Sequence, residues 1–136
     1  MTNTGSEIQH TKKRGEWAEL RFMARAAEYG LCVAKPWGDS SEYDVAVEYE
    51  GGFARVQVKS TGSKWRETGY RCHVCNKRGY TRDAFDFVAA YVVPADVWYI
   101  IPAAQVLGKK LVALIPGSEI SKYRRYKEDW DLLRVR

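Results

Sequence analysis

The stretch Tyr43-Asp44-Val45-Ala46-Val47-Glu48-Tyr49-Glu50-Gly51-Gly52-Phe53-Ala54-Arg55-Val56-Gln57-Val58-Lys59-Ser60 decides how the chain is read. Residues 43 to 49 and 53 to 59 are rich in Val and aromatic side chains, which suit a pleated surface. Gly51-Gly52 between them supplies the φ > 0 positions that a short hairpin turn requires. The polar residues fall in a pattern. Asp44 opens the first strand, and Gln57 and Lys59 lie two apart near the end of the second. Side chains two apart on a strand share a face, so Gln57 and Lys59 point together while Val56 and Val58 point the other way. In an antiparallel hairpin the start of one strand lies beside the end of the next, so Asp44 can meet Gln57 and Lys59 across the ladder. A carboxylate, an amide oxygen and an ammonium then converge on one sheet face as a small polar site.

The totals frame this site. A chain of 136 residues, 46% hydrophobic, has the length and apolar content of one domain with a real core. The expected division is a flexible segment over residues 1–10 and a single domain over 11–136. The net charge of +5 favours a polyanionic partner, and five Trp and nine Tyr serve cores and nucleobase contacts equally well. No signal-like segment or membrane-length apolar run is present, so a cytoplasmic protein without a membrane partner is expected. Three cysteines, Cys32, Cys72 and Cys75, agree with a reducing compartment. Cys72-His73-Val74-Cys75 has the spacing of half a zinc knuckle, but the other ligands would have to be Cys32 and His10. Ordinary small core or strand cysteines fit better.

Outward from the hairpin, Thr11 to Gly30 reads as a helix built from Ala, Leu, Met, Glu and Arg, with Gly30 as its C-terminal stop. Leu20, Met23, Ala24 and Ala27 recur at helical spacing and are expected to form the buried stripe. Glu16 and Glu19 border that stripe. A carboxylate there is either a solvated edge residue or a site residue facing the sheet, and periodicity favours the first. Lys12, Lys13 and Arg14 at the helix start oppose the macrodipole at roughly a few tenths of a kcal/mol per charge, a weak pointer to an anionic partner. Leu31 to Lys35 is a short strand ended by Pro36, followed by a polar loop, Trp37 to Glu42. After Lys59 the chain turns basic at Lys64, Arg66, Arg71, Lys77, Arg78 and Arg82, with Trp65, Tyr70 and Tyr80 interleaved. That pattern suits a phosphate-tracking surface with stacking aromatics, and equally a solvated hairpin. Asp83 to Val93 begins as a helical turn and becomes a strand. Val97 to Ile101 and Leu111 to Ile115 are further strands. Lys122 to Leu133 reads as a short helix with Tyr123, Tyr126, Trp130 and Leu133 on its packing face. The class is α+β (mixed α/β).

One acid on the first helix, Asp44, and Gln57-Val58-Lys59 after a hairpin turn together resemble the PD-(D/E)XK nuclease superfamily. The likeness is to its small endonucleases with Gln in the (D/E/Q)xK position, a plan shared with intron-encoded homing and Holliday-junction resolvase-like nucleases. The matching residues are Lys13-x-Gly15-x-x-x-Glu19, Pro36, Ser41-x-Tyr43-Asp44, Arg55-Val56-Gln57-Val58-Lys59, Tyr80, Asp86-Phe87, Trp98 to Pro102 and Trp130 to Leu133.

The resemblance implies a restriction endonuclease-like core, a central mixed sheet flanked by helices. It further implies a Mg²⁺-dependent endodeoxyribonuclease, with Mn²⁺ as an alternative ion and no other small-molecule cofactor. Asp44, Gln57, the Val58 carbonyl and Glu19 would hold the metal, with Lys59 on the attacking water. Lys12, Lys13, Arg14, Lys64, Arg66, Arg71, Lys77, Arg78 and Arg82 would approach DNA, and a homodimer would supply two cutting sites. Independently, Mg²⁺ takes hard oxygen ligands and keeps waters and substrate phosphate, which such a donor set allows. Gln57 carries no charge, so metal is expected to bind well only with DNA phosphate present. The alternatives are a catalytically inactive nucleic-acid-binding module on the same fold, and a protein-interaction domain whose polar face is incidental.

Overall fold

The computed structural model describes residues 8, 10–38, 40–74 and 84–134. Cys75, Lys77, Arg78, Tyr80, Arg82, Asp83 and most of the expected N-terminal segment lie outside the described residues.

Helix α1 spans Thr11–Glu28. It ends as expected at Gly30, whose φ of +78° is left-handed. The Gly30 N–H donates to the Ala27 carbonyl at 2.9 Å and the Leu31 N–H to Ala26 at 3.1 Å, a Schellman closure. The next strands are β1 (Cys32–Ala34), β2 (Val45–Tyr49), β3 (Gly52–Thr61), β4 (Lys64–Trp65), β5 (Gly69–His73), β6 (Phe87–Val92), β7 (Val97–Pro102) and β8 (Leu111–Leu114). They form a five-stranded sheet in the order β1-β2-β3-β6-β7 and a three-stranded sheet in the order β4-β5-β8. Only β3 and β6 run parallel, which makes the larger sheet mixed.

Helix α1 covers one face of this sheet. Ala18, Phe22 and Ala26 pack there on Val45, Val47, Val56, Val58, Tyr91 and Trp98. The other face carries Val88, Ala90, Val92, Tyr99 and Ile101, and is covered by Tyr70, Cys72, Val112 and Leu114 of the small sheet. Thus the expected mixed central sheet is present, with a single α-helix among the described residues and a second sheet in place of helices on its far side. Phe22, fully buried, stacks on Trp130 at 5.4 Å and meets Trp98 edge-on at 5.6 Å. Burying a side chain of that kind contributes about 2–3 kcal/mol.

Four local expectations are corrected. The hairpin turn is Glu50-Gly51 (φ 49° and 84°), because Tyr49 pairs directly with Gly52 and leaves two residues to turn; Gly52 already belongs to β3. The buried helical stripe is Ala18, Phe22 and Ala26, rotated from the expected one, with Leu20 63% exposed and only Met23 of the predicted set packed on the core. The large Phe22, flanked by Trp17, sets the face; the small alanines at 24 and 27 are compatible with either side. Ala84 to Asp86 is not helical, since Asp86 is docked on β3. Its N–H donates to the Arg55 carbonyl (2.8 Å) and its carboxylate accepts from the Arg55 N–H (2.7 Å) and guanidinium (3.2 and 3.3 Å). Finally, the tail forms two 3₁₀ turns, Arg124–Tyr126 and Trp130–Leu133. Tyr123 and Tyr126 serve the core under the small sheet, whereas Trp130 and Leu133 serve the core under α1. One straight helix cannot face both. Glu128 breaks it with φ 53° and pairs with the edge strand: its N–H donates to the Trp98 carbonyl, and its carboxylate accepts from the Trp98 N–H, both at 2.7 Å.

Candidate active site

The site forms where a ladder runs out. Strand β2 pairs with β3 only from Tyr49–Gly52 to Val45–Val56, while β3 continues to Thr61. Asp44 fills the next place. Its N–H donates to the Val56 carbonyl at 2.9 Å, and its Oδ2 accepts the Val58 N–H at 2.8 Å. A side chain thus completes what a strand would otherwise supply. The N–H and C=O of one strand residue leave on the same side, so the Val58 carbonyl lies along the Asp44 side of β3.

Alternation assigns the faces. Val56 and Val58 pack under α1, so Gln57, Lys59 and Thr61 occupy the opposite face, in register with Val88, Ala90 and Val92 of β6. Gln57 (9% exposed) and Thr61 (7%) are the buried polar residues of the described chain, and both belong to this stripe. Opposite them on β5 lies buried Cys72, whose thiol burial pushes up to about 12 against the opposing effect of Lys59. Cys72 is therefore a core cysteine on a strand, as the lack of a second ligand pair favoured over the knuckle spacing, and Cys32 is exposed on β1. No cluster of three His, Cys, Asp or Glu side chains suited to a metal occurs among the described residues.

Among the described carboxyl groups, Asp44 is the one pushed up. Burial raises its pKa from 3.8 to about 6, the Val58 N–H bond works against that rise, the Glu19 charge adds to it, and Lys59 and Lys35 oppose it. Residues of α1, of β3 and of the end of β1 thereby act on one carboxyl. Glu19 reaches the site because the stripe is rotated: with Ala18 and Phe22 inward, Glu19 sits at the sheet-side border, its side chain 19% exposed. Periodicity favoured a solvated residue, and the structure instead brings its charge to bear on Asp44. It is paired with Lys35.

Lys35 and Trp37 are the residues that sequence reasoning passed over. The signal for Lys35 was the register of β1: Ala34 pairs with Ala46, which carries the next residue of the strand toward Val45 and Asp44. Trp37, 99% exposed, lies in the loop between Lys35 and Asp44, and its exposure is invisible to composition.

The basic residues fall into two groups. Lys12, Lys13 and Arg14 are exposed in the first turn of α1, which holds no acid. Lys64, Arg66 and Arg71 are exposed on β4, β5 and their turn, past the Lys59 end of β3. The Lys64 ammonium lies 5.0 Å over Tyr70 and the Arg66 guanidinium 4.4 Å over Trp65. Tyr70 is buried, so it is a core residue and not a stacking platform. Lys77, Arg78, Arg82 and Tyr80 lie outside the described residues.

Comparison with known proteins agrees with this architecture. No curated protein matches the chain. The solved structure of a bacterial homing endonuclease, I-Ssp6803I, superposes with a TM-score of 0.81 at 28% identity, covering 93% of each chain. The family model described as PD-(D/E)XK endonuclease matches residues 9–133. With the hairpin, the helix acid and Asp44 assembled at one sheet end and nearly the whole chain matched, the protein belongs to the PD-(D/E)XK endonuclease family.

Proposed function

We propose that this endonuclease cleaves DNA with a divalent metal, Mg²⁺ or Mn²⁺, held by Asp44, the Gln57 amide oxygen and the Val58 carbonyl, with Glu19 assisting. The observation that carries the reading is the Asp44 carboxylate lodged on the Val58 N–H, within the Gln57-Val58-Lys59 run of β3. The donor set fits a hard cation: all its atoms are oxygens, and two carboxylates leave room for waters and a substrate phosphate. When bound, such an ion neutralises phosphate charge and lowers the pKa of a coordinated water.

The chain's own residues do the rest. Asp44, with its pKa near 6, is ionised at neutral pH and available as a ligand. Lys59 orients the attacking water and places positive charge where the phosphate gains negative charge. Lys12, Lys13 and Arg14, with Lys64, Arg66 and Arg71, track the backbone, and Trp37 offers a solvent-facing indole to a base. Cutting both strands requires two sites, which a homodimer supplies.

The test is cleavage of supercoiled plasmid, a branched junction and single-stranded DNA with Mg²⁺ or Mn²⁺, comparing wild type with Asp44→Ala and Lys59→Ala after circular dichroism confirms folding. Metal-dependent cutting lost in both variants supports the reading. DNA retention in a gel shift with no cutting by wild type under either metal overturns it in favour of a binding module.

A further inference from the structure

Lys35 stands at the end of β1 with its side chain half exposed (49%), and its ammonium pairs with Glu19, which is far less exposed (19%). The same ammonium acts on Asp44, as does Lys59. The cluster therefore holds two carboxylates, Asp44 and Glu19, and two ammoniums, Lys35 and Lys59. Its net charge is zero. A neutral half-buried cluster attracts a divalent cation weakly, and accepting one leaves an excess positive charge that an incoming phosphodiester would offset.

Resting on the function proposed above, we infer that Lys35 is an internal counter-ion that competes with the divalent metal for Glu19 and so makes metal loading conditional on nucleic-acid phosphate. The side chain suits the role. Lysine is a point charge on a flexible four-carbon stem, so its head can leave Glu19 for a phosphate while the backbone stays in place. Lys35 thus acts through Glu19, as a positioning residue. By linkage, whatever factor separates metal affinity with and without DNA also separates DNA affinity with and without metal, and Lys35 contributes to that factor.

The test reads metal binding directly, by electron paramagnetic resonance of Mn²⁺ titrated into the full chain without DNA. Lys35→Met keeps the stem and removes the charge, and is expected to tighten Mn²⁺ binding by about tenfold or more, the range by which groups behind the ligands tune metal affinity. Lys35→Arg should stay near wild type. In a Glu19→Gln background, Lys35→Met should lose most of its effect, which a merely structural lysine would not show. Unchanged or weaker Mn²⁺ binding by folded Lys35→Met overturns the inference, as does an equal effect in both backgrounds. Asp44→Ala separates the two levels. If it leaves Mn²⁺ binding unchanged, the proposed metal site itself fails; if it abolishes binding while Lys35→Met does nothing, only the role of Lys35 fails.

Discussion

Replacing Asp44 by Asn should make the protein more stable at neutral pH while removing its activity. The folded-state pKa of about 6 stands above the ordinary 3.8, chiefly because the carboxylate is buried. That gap corresponds to roughly 3 kcal/mol of penalty for keeping Asp44 ionised in the fold, and residual solvent exposure brings the expected effect to about 1–3 kcal/mol. The sign follows from proton binding. Between about pH 4 and about pH 6 the folded chain holds more protons at this site than the unfolded chain, so wild-type stability falls as pH rises through that window. Below it, both states are protonated; above it, both are ionised and the full penalty remains. Asn keeps an oxygen for the Val58 N–H and carries no charge. The two proteins should therefore unfold alike near pH 3.5 and diverge to about 1–3 kcal/mol near pH 7.5, an increase of several degrees in Tm for the variant. Urea and thermal denaturation across that range, with chelator present, measure it. Equal or lower stability of Asp44→Asn near pH 7.5, or a difference that does not change with pH, refutes the assignment of Asp44 as a desolvated acid.

Other expectations follow from individual side chains. Glu128→Ala removes acceptors from the Trp98 N–H and, at 2.8 Å, the Trp130 indole N–H, and should cost about 2–4 kcal/mol by urea denaturation. Gly51→Val forces a β-branched residue to φ 84° in the hairpin turn and should cost about 1–2 kcal/mol in the same assay. Exchanging Lys12, Lys13 and Arg14 together for Ala should flatten the slope of log affinity for duplex DNA against log salt by about 0.9 for each phosphate that is no longer neutralised. Trp37→Ala should blue-shift the protein's emission, because Trp98 and Trp130 are buried, and weaken single-strand binding by about 1–3 kcal/mol.

Much of this architecture is legible in the sequence because strand alternation has a rigid period. The Val-rich alternation of residues 43 to 49 and 53 to 59 makes the hairpin legible, but two adjacent glycines place its turn one residue late, and the pairing of 45 to 49 with 52 to 56 follows only once Glu50 is seen to enter the turn. The helix stripe is less legible. Alanine fits buried and exposed positions alike, so Ala24 and Ala27 suit the stripe as well as Ala18 and Ala26 do, and one large residue, Phe22, decides the rotation. Glu19 depends on the same choice: the rotation that buries Phe22 brings the helix acid toward Asp44. The tail departs from its pattern for a different reason. Its aromatic spacing is helical, but its side chains divide between two cores, and a backbone serving both must bend around β7. Lys35 is obscured because its partner is sixteen residues away on another element, a relation that becomes visible only once the register of β1 is known.

Gln57 is subject to the same desolvation as Asp44. At 9% exposure it is more buried than the half-buried Asp44. An acid at that buried position of β3 would itself be desolvated, and burial of a carboxylate raises its pKa, as it does for Asp44. An amide keeps an oxygen at that place without this penalty. The ladder end adds its own constraint. Beyond Val45 the central strand would leave the Val58 N–H without a strand partner, and a buried unpaired donor costs about 1–3 kcal/mol. The Asp44 carboxylate meets that need, so one side chain both closes the sheet and carries a negative charge near the charges of Glu19, Lys35 and Lys59. Under the proposed function its two roles pull in opposite directions, since closing the sheet requires only an oxygen, whereas holding a cation would require the charge that the fold disfavours.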